Sequence, residues 1–266
     1  MADAPDYENE IEPEEGKPGR GAPLGTLRRK GIYLLPNLFT TGVLFCGFYA
    51  IVQAMNGRFE IGAVAIYVAM VLDGMDGRVA RWTNTQSEFG AQYDSIADMV
   101  AFGAAPALVA YEWTLKDLGT AGWIAAFLYC AGTAIRLARF NVNIGVVDKR
   151  YFQGLPSPSG AAVLAGLVWV MTDFGFRPSD WLAIVTWVIA VFAGITMVSN
   201  LPFYSFKEVN WRRRVPLWVI LASVLGMSVV ASRPSLVLFA LFMSYALSGY
   251  VMWARERRVR SVLPEE

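Results

Sequence analysis

Long apolar stretches separated by short polar segments make up most of the chain after residue 33. A helix needs about 20 apolar residues to cross the hydrocarbon core of a bilayer, and most of these stretches have that length. The apolar residues are continuous instead of alternating with polar ones, which excludes a transmembrane β-barrel. The pattern predicts an all-α polytopic membrane protein with about eight transmembrane helices. The eight stretches are Leu34–Met55, Ile61–Trp82, Phe89–Tyr111, Leu118–Arg139, Ser159–Thr172, Trp181–Tyr204, Val215–Ser232 and Pro234–Trp253.

The fifth stretch is short, and we expect residues 151–160 to lengthen its helix. Both ends of the chain are polar. Residues 1–30 are acidic, then rich in glycine and proline, and finally basic, which is typical of a disordered segment and unlike a signal peptide. We expect a disordered cytoplasmic tail over 1–30, a transmembrane domain over 31–254 and a basic cytoplasmic tail over 255–266.

The positions of lysine and arginine predict which side of the membrane each loop faces. If residue 1 is cytoplasmic and the chain crosses eight times, every one of the 23 basic residues lies on the cytoplasmic side except Arg58, Lys116, Arg177 and Arg233. Lysine and arginine accumulate in cytoplasmic loops. This asymmetry predicts eight crossings with both termini in the cytoplasm.

Composition narrows the chemistry available to the chain. Hydrophobic residues make up 55% of it and charged residues 17%, and the mean hydropathy is +0.41, as expected for a membrane protein. The chain has no histidine, which excludes Ser-His-Asp triads, histidine proton relays and histidine-ligated zinc or haem. Two cysteines are too few for a four-cysteine metal site, and a net charge of +1 gives no indication of nucleic-acid binding. Catalysis therefore has to use carboxylates, lysine, arginine, hydroxyls or an oxygen-bound metal.

Four aspartates interrupt the second and third apolar stretches. Asp73 and Asp76 are three residues apart and Asp94 and Asp98 are four apart, so each pair lies on one face of its helix. The two helices are antiparallel because only the short polar segment 83–88 joins them. Counted from the outer ends of the helices, Asp73 and Asp98 fall at one depth, and Asp76 and Asp94 at a second depth nearer the cytoplasm. We expect the four carboxylates to converge.

Four neighbouring carboxylates inside a membrane need positive charge to stay ionised. Mn²⁺ or Mg²⁺, which prefer carboxylate oxygens, supply that charge, and two such ions balance four aspartates. Two-metal sites act on phosphoryl groups, and Arg78 and Arg81 follow toward the membrane surface, where lipid phosphates lie. Two alternatives stay open: the aspartates pair with arginines and fix helix packing, or they line the ion or proton pathway of a transporter.

The full spacing of this segment resembles the signature motif of the CDP-alcohol phosphatidyltransferase family. The motif positions are Asp73, Asp76, Gly77, Ala80, Arg81, Gly90, Asp94 and Asp98. The resemblance implies transfer of a phosphatidyl group from a CDP-linked lipid to an alcohol, with release of CMP. It also implies that the four aspartates bind the two metal ions, with Asp98 acting in addition as the catalytic base.

The resemblance further implies that five motif residues contact CDP-diacylglycerol: Asp73, Gly77, Ala80, Arg81 and Gly90. Asn37 and Thr40 are polar, lie about one turn apart early in the first stretch, and are expected to line the same cavity. Helix capping or packing explains these two residues equally well.

Other segments resemble the phosphatidylserine synthase branch of the family, at residues 35–40, 83–90, 136–141 and 152–158. This implies L-serine as acceptor, a multi-pass protein of the bacterial inner membrane with its active site facing the cytoplasm, and a homodimer. Glycerol 3-phosphate, inositol phosphate or choline are the alternative acceptors. Serine carries a carboxylate, the natural partner of a guanidinium, so we expect Arg136 and Arg139 to bind it. Anchoring of the helix at the membrane surface is the other explanation for these arginines.

Overall fold

The computed structural model of the protein describes residues 24–83, 85, 87–142, 151–204 and 217–260. Most of this part is helical, in an order that follows the apolar stretches. The elements are α1 Leu24–Met55, α2 Phe59–Thr83, α3 Glu88–Asp98, a π-helical segment Met99–Ala104, α4 Ala105–Trp113, a 3₁₀ turn Leu115–Leu118, α5 Thr120–Val142, β1 Tyr151–Gln153, α6 Ser157–Asp173, α7 Asp180–Val198, β2 Pro202–Tyr204, α8 Leu217–Ser232 and α9 Pro234–Arg260.

Helix lies over each of the eight predicted apolar stretches, which confirms an all-α membrane architecture. Four helical segments are long and apolar enough to cross a membrane within the described part of the chain: Pro36–Met55, Thr120–Val142, Asp180–Val198 and Pro234–Arg255. Helix α2 has 25 residues but is not among these four segments, and it contains Asp73 and Asp76. Eight crossings and cytoplasmic termini stay predictions. The predicted tail up to residue 23 and residues 261–266 lie outside the described residues.

Two expectations about helix ends are wrong. Residues 151–156 do not lengthen the fifth helix, because Tyr151–Gln153 forms a strand and α6 begins at Ser157. The sixth stretch leaves the helix after Val198, and Pro202–Tyr204 pairs antiparallel with the first strand. The turn between β1 and α6 explains the break: Gly154 has a φ of +79°, which favours glycine, and Pro158 follows in the first turn of α6.

Small residues let the helices approach one another closely, as is typical of helix packing in membranes. A side chain at Gly47 of α1 would place its Cβ 2.6 Å from the Cα of Ala101. At Gly132 of α5 the Cβ would lie 2.7 Å from the carbonyl oxygen of Gly194 in α7. These contacts hold α1 against the π-helical segment and α5 against α7.

The third helical segment changes geometry directly after Asp98. In the π-helical segment the Ala105 N–H donates to the carbonyl of Val100, five residues earlier. Pro106 has no N–H and cannot donate to the carbonyl of Phe102, four residues before it. The buried Tyr129 hydroxyl on α5 donates to that carbonyl at 2.9 Å. Such π segments are often found at functional sites, and this one separates the polar α3 from the apolar α4.

Candidate active site

Three of the four aspartates form one cluster. Asp73 and Asp76 on α2 and Asp94 on α3 can each place a carboxylate oxygen within 4.8 Å of the others. The side chains of Asp76 and Asp94 lie close enough to share a hydrogen bond. Asp98 lies outside this group of three, and its strongest acidic neighbour is Asp73. The expected convergence of four carboxylates is therefore found for three of them.

The start of α3 sets the position of its acidic face. Ser87 is the N-cap residue, and its Oγ accepts a hydrogen bond from the Gly90 N–H at 3.0 Å. Gly90 and Asp94 then follow one turn apart, with Gly90 facing Asn37 of α1 and Asp94 facing Asp76 of α2. Sequence reasoning missed Ser87, although a serine directly before a helix is a recognisable cap signal.

The first helix reaches the cluster through Thr40. Its Oγ1 lies 3.1 Å from Asp76 Oδ2 and 3.2 Å from the Pro36 carbonyl oxygen, and the residue is buried. A hydroxyl has one hydrogen, so these two acceptors share it. Thr40 therefore contacts the carboxylate directly, which favours the functional explanation of its polarity over simple packing.

A cavity of about 300 Å³ opens beside the cluster, between α1, α2 and α3. It contains Asn37, Thr40, Gly77, Ala80, Arg81 and Gly90, six of the seven residues expected to bind CDP-diacylglycerol; Asp73 does not line it. Two further lining residues, Thr85 and Ser87, were missed by the sequence reasoning. The full lining is Pro36, Asn37, Thr40, Asp76, Gly77, Ala80, Arg81, Thr85, Ser87, Gly90, Ala91 and Asp94.

The acidic cluster fits a divalent cation better than a set of ion pairs. Among the described residues the ion pair within 4.0 Å is Lys116–Glu112, on the surface and away from the cluster. Buried oxygens Oδ1 of Asp94 and Oδ1 of Asp98 have no hydrogen-bond partner in the described structure. Orphaned carboxylate oxygens of this kind are costly unless a cation binds them. This geometry does not support the alternative in which arginines neutralise the aspartates.

Arg136 on α5 faces the deep side of the cluster. It interacts electrostatically with Asp98 and Asp73, and its Nη1 donates to Ser157 Oγ at 2.6 Å. Its Nε is buried and has no hydrogen-bond partner among the described residues. Arg136 therefore adds a positive charge to the surroundings of Asp98 and Asp73 and has one hydrogen-bond donor that no described residue uses.

Arg139, one turn further along α5, points elsewhere. Its Nη1 donates to the Val198 carbonyl oxygen and to Asn200 Oδ1, both at 3.0 Å. Its Nη2 donates to the carbonyl oxygens of Gln153 at 2.9 Å and Ser199 at 3.3 Å. The sequence predicts that both arginines bind serine, but their surroundings differ. Arg136 interacts with the aspartates, and Arg139 lies beside the end of α7.

A helical membrane domain with an acidic cluster and an adjoining polar cavity is compatible with an integral membrane enzyme. The family model of CDP-alcohol phosphatidyltransferases matches residues 33–198. The chain belongs to this family, which confirms the prediction from the motif.

Several relatives are similar over most of the chain. The CDP-diacylglycerol–serine O-phosphatidyltransferase of Helicobacter pylori strain 26695 is 35% identical over 222 residues, which cover 84% of this chain and 92% of that protein. The protein of the same name from Mycobacterium tuberculosis strain H37Rv is 33% identical over 236 residues, covering 85% and 79%. The crystal structure of Mycobacterium tuberculosis phosphatidylinositol phosphate synthase with CDP-DAG bound matches 66% of this chain and 88% of that chain, at 25% identity and a TM-score of 0.47.

Proposed function

We propose that the chain transfers the phosphatidyl group of CDP-diacylglycerol to the hydroxyl of L-serine and releases CMP. The observation that carries this proposal is the joint position of the aspartate cluster, the cavity beside it and Arg136 on its deep side. The cavity suits a nucleotide, and Arg136 suits the carboxylate of serine. The names of the similar proteins from Helicobacter and Mycobacterium support serine as the acceptor.

Asp73, Asp76, Asp94 and Asp98 would hold two Mn²⁺ or Mg²⁺ ions. When bound, such ions offset the negative charge of the pyrophosphate and of the phosphate that is transferred. The orphaned Oδ1 atoms of Asp94 and Asp98 support this assignment. Thr40 keeps the Asp76 carboxylate in position through its hydrogen bond.

The residues around the cavity would bind the nucleotide part of the donor. Gly77, Ala80 and Gly90 have small or absent side chains and leave the space open, while Arg81 provides a cation at its rim. Asn37 adds an amide that can hydrogen-bond to the base or the sugar. In this orientation the diphosphate lies against the aspartates and the diacylglycerol chains extend into the bilayer.

Asp98 would take the proton of the serine hydroxyl. The serine oxygen then bonds to the phosphorus that carries diacylglycerol, the bond between this phosphorus and the bridging oxygen breaks, and CMP leaves with that oxygen. Asp98 is suited to this step because it lies outside the group of three aspartates and interacts electrostatically with Arg136. In a chain without histidine, a carboxylate is the available base. Arg136 would hold the serine carboxylate in line for the attack.

The topology proposed for this enzyme has eight crossings, both termini in the cytoplasm and the active site on the cytoplasmic side of a bacterial inner membrane. The distribution of lysine and arginine supports it. Residues 31–254 would form the transferase domain, flanked by tails over 1–30 and 255–266. A homodimer, implied by the family resemblance, is part of the same proposal.

Purified full-length protein with labelled CDP-diacylglycerol, Mn²⁺ and L-serine tests the reaction. We expect CMP and phosphatidylserine in equal amounts. Release of CMP with glycerol 3-phosphate, inositol phosphate or choline, but not with serine, would contradict the acceptor alone. No metal-dependent release with any alcohol, combined with cation or proton flux in proteoliposomes, would favour the transporter alternative.

A further inference from the structure

Arg139 joins three segments that are distant in sequence. From α5 it reaches the Gln153 carbonyl at the end of β1, the Val198 and Ser199 carbonyls at the end of α7, and the side chain of Asn200. Nη2 also contacts the Met197 carbonyl oxygen at 3.5 Å, so these acceptors occupy all four hydrogens of the two terminal nitrogens. A substrate carboxylate could bind at these nitrogens only by displacing existing partners.

We propose that Arg139 is a positioning residue, which fixes the turn before α6 so that Ser157 can orient Arg136 toward the acceptor. This inference rests on the proposed function, since it assigns Arg139 a role in serine binding without contact. In this proposal Arg139 does not bind serine directly but influences serine binding through the Gly154 turn.

The Gly154 turn is held on both sides. The Gly154 N–H donates to the Leu201 carbonyl at 2.9 Å, and the Leu155 N–H donates to the Thr196 carbonyl at 3.1 Å. A Cβ at Gly154 would lie 2.4 Å from the Met197 carbonyl oxygen and 3.0 Å from Arg139 Nη2. The main chain therefore runs directly against the guanidinium, and we expect a side chain of different shape at position 139 to change the position of the turn.

The turn leads directly to the partner of Arg136. Leu155 is fully buried, Pro156 follows, and Ser157 begins α6 with its side chain also buried. Ser157 Oγ accepts the hydrogen bond of 2.6 Å from Arg136 Nη1. Three residues, of which Gly154 and Leu155 are buried, thus separate the segment that Arg139 contacts from the hydroxyl that orients Arg136.

Steady-state kinetics of the metal-saturated full-length enzyme test this role with Arg139→Lys, which keeps the charge but loses the planar fork. We expect the KM for serine to rise by about tenfold or more, the size expected for loss of a hydrogen bond to a charged group, while the KM for CDP-diacylglycerol stays within about twofold. Ser157→Ala should raise the KM for serine similarly. In the double variant the two effects should not add, because both act through Arg136. The matched control is Arg233→Lys. Arg233 lies between α8 and α9, where its guanidinium is over the Phe174 ring and makes none of the contacts of Arg139.

An unchanged KM for serine, an equal rise in both KM values, or full additivity with Ser157→Ala would overturn the proposal. If Arg139→Lys does not fold, Asn200→Ala removes one acceptor and should still raise the KM for serine selectively; no change there also overturns it. Failure of the proposed function is distinguishable, because the wild type would then not consume serine. In that case the same cycle is measured with the acceptor that the wild type does use.

Discussion

Thr40 Oγ1 donates a hydrogen bond of 3.1 Å to Asp76 Oδ2, and so joins the first helix to the acidic cluster. Asp76 is buried and sits between Thr40 on one side and Asp94 on the other. The hydrogen bond from Thr40 fixes the orientation of this carboxylate. This contact makes Thr40 a sensitive position for testing the site without removing one of its acids.

Thr40→Val keeps the shape of the side chain and removes its hydroxyl. We expect the Mn²⁺ concentration for half-maximal CMP release to rise by about 10- to 100-fold, the usual cost of losing a hydrogen bond to a metal ligand. Thr40→Ser should restore the wild-type value. Thr41→Val is the matched control, because Thr41 bonds to Asn37 O and Tyr93 on the exposed side. An unchanged metal requirement in Thr40→Val would mean that Asp76 binds the metal without the hydrogen bond from Thr40.

The variant Asp98→Asn distinguishes a catalytic role of Asp98 from a role in folding. We expect turnover to fall by at least about 100-fold, since the amide cannot accept the serine proton. The temperature of unfolding in detergent with a chelator should not fall, because one charge is removed from a buried acidic group. Substantial turnover in this variant would refute its role as the base, and a large loss of stability would point to a structural role.

Arg136 determines in our proposal whether the enzyme prefers an acceptor with a carboxylate. The ratio of kcat/KM for serine to that for ethanolamine, which has no carboxylate, should fall by about 10- to 100-fold in Arg136→Gln, because a charge-assisted hydrogen bond contributes about 1.5–3 kcal/mol. Arg58→Gln is an exposed control in the α1–α2 turn. Equal losses with both acceptors would show that Arg136 does not read the carboxylate.

Metal binding has a readout that is independent of activity. Adding Mn²⁺ to chelator-treated protein should raise the unfolding temperature by several degrees, since a ligand that binds only the folded state stabilises it. The shift should disappear in the double variant of Asp76→Asn and Asp94→Asn. Glu112→Gln, which removes the acid of the surface pair with Lys116, should keep the full shift. A shift of equal size in the double variant would place the ion elsewhere.

The acidic cluster could be predicted from the sequence because helical periodicity fixes which residues share a face. Two aspartates at i, i+3 and two at i, i+4, in antiparallel helices joined by a short loop, have few other ways to meet. Lining of the cavity by Gly77 and Gly90 was expected from the family resemblance. Its further lining by Thr85 and Ser87 was not expected, because the path of a loop depends on tertiary contacts rather than on periodicity.

The different surroundings of Arg136 and Arg139 could not be predicted from their spacing. They lie on the same side of α5, and both fall at its cytoplasmic end in the predicted topology. Arg139 contacts the carbonyl of Gln153 at the end of the first strand and carbonyls at the end of α7, whereas Arg136 contacts the side chain of Ser157. The two strands, at residues 151–153 and 202–204, are three residues long, too short to show an alternating pattern within apolar surroundings.

The π-helical segment after Asp98 has a consequence for the length of its helix. A turn closed over five residues holds one residue more than an α-turn, and each residue of α-helix turns the chain by about 100°. The segment Met99–Ala104 therefore absorbs one residue without rotating α3 relative to α4. Deleting one residue there, together with Pro106→Ala, should leave Asp98 and the core face of α4 in register, whereas inserting one should turn the acids away. The rotation of α3 relative to α4 is thus determined by the faces on which the two helices pack, and not by the number of residues between them.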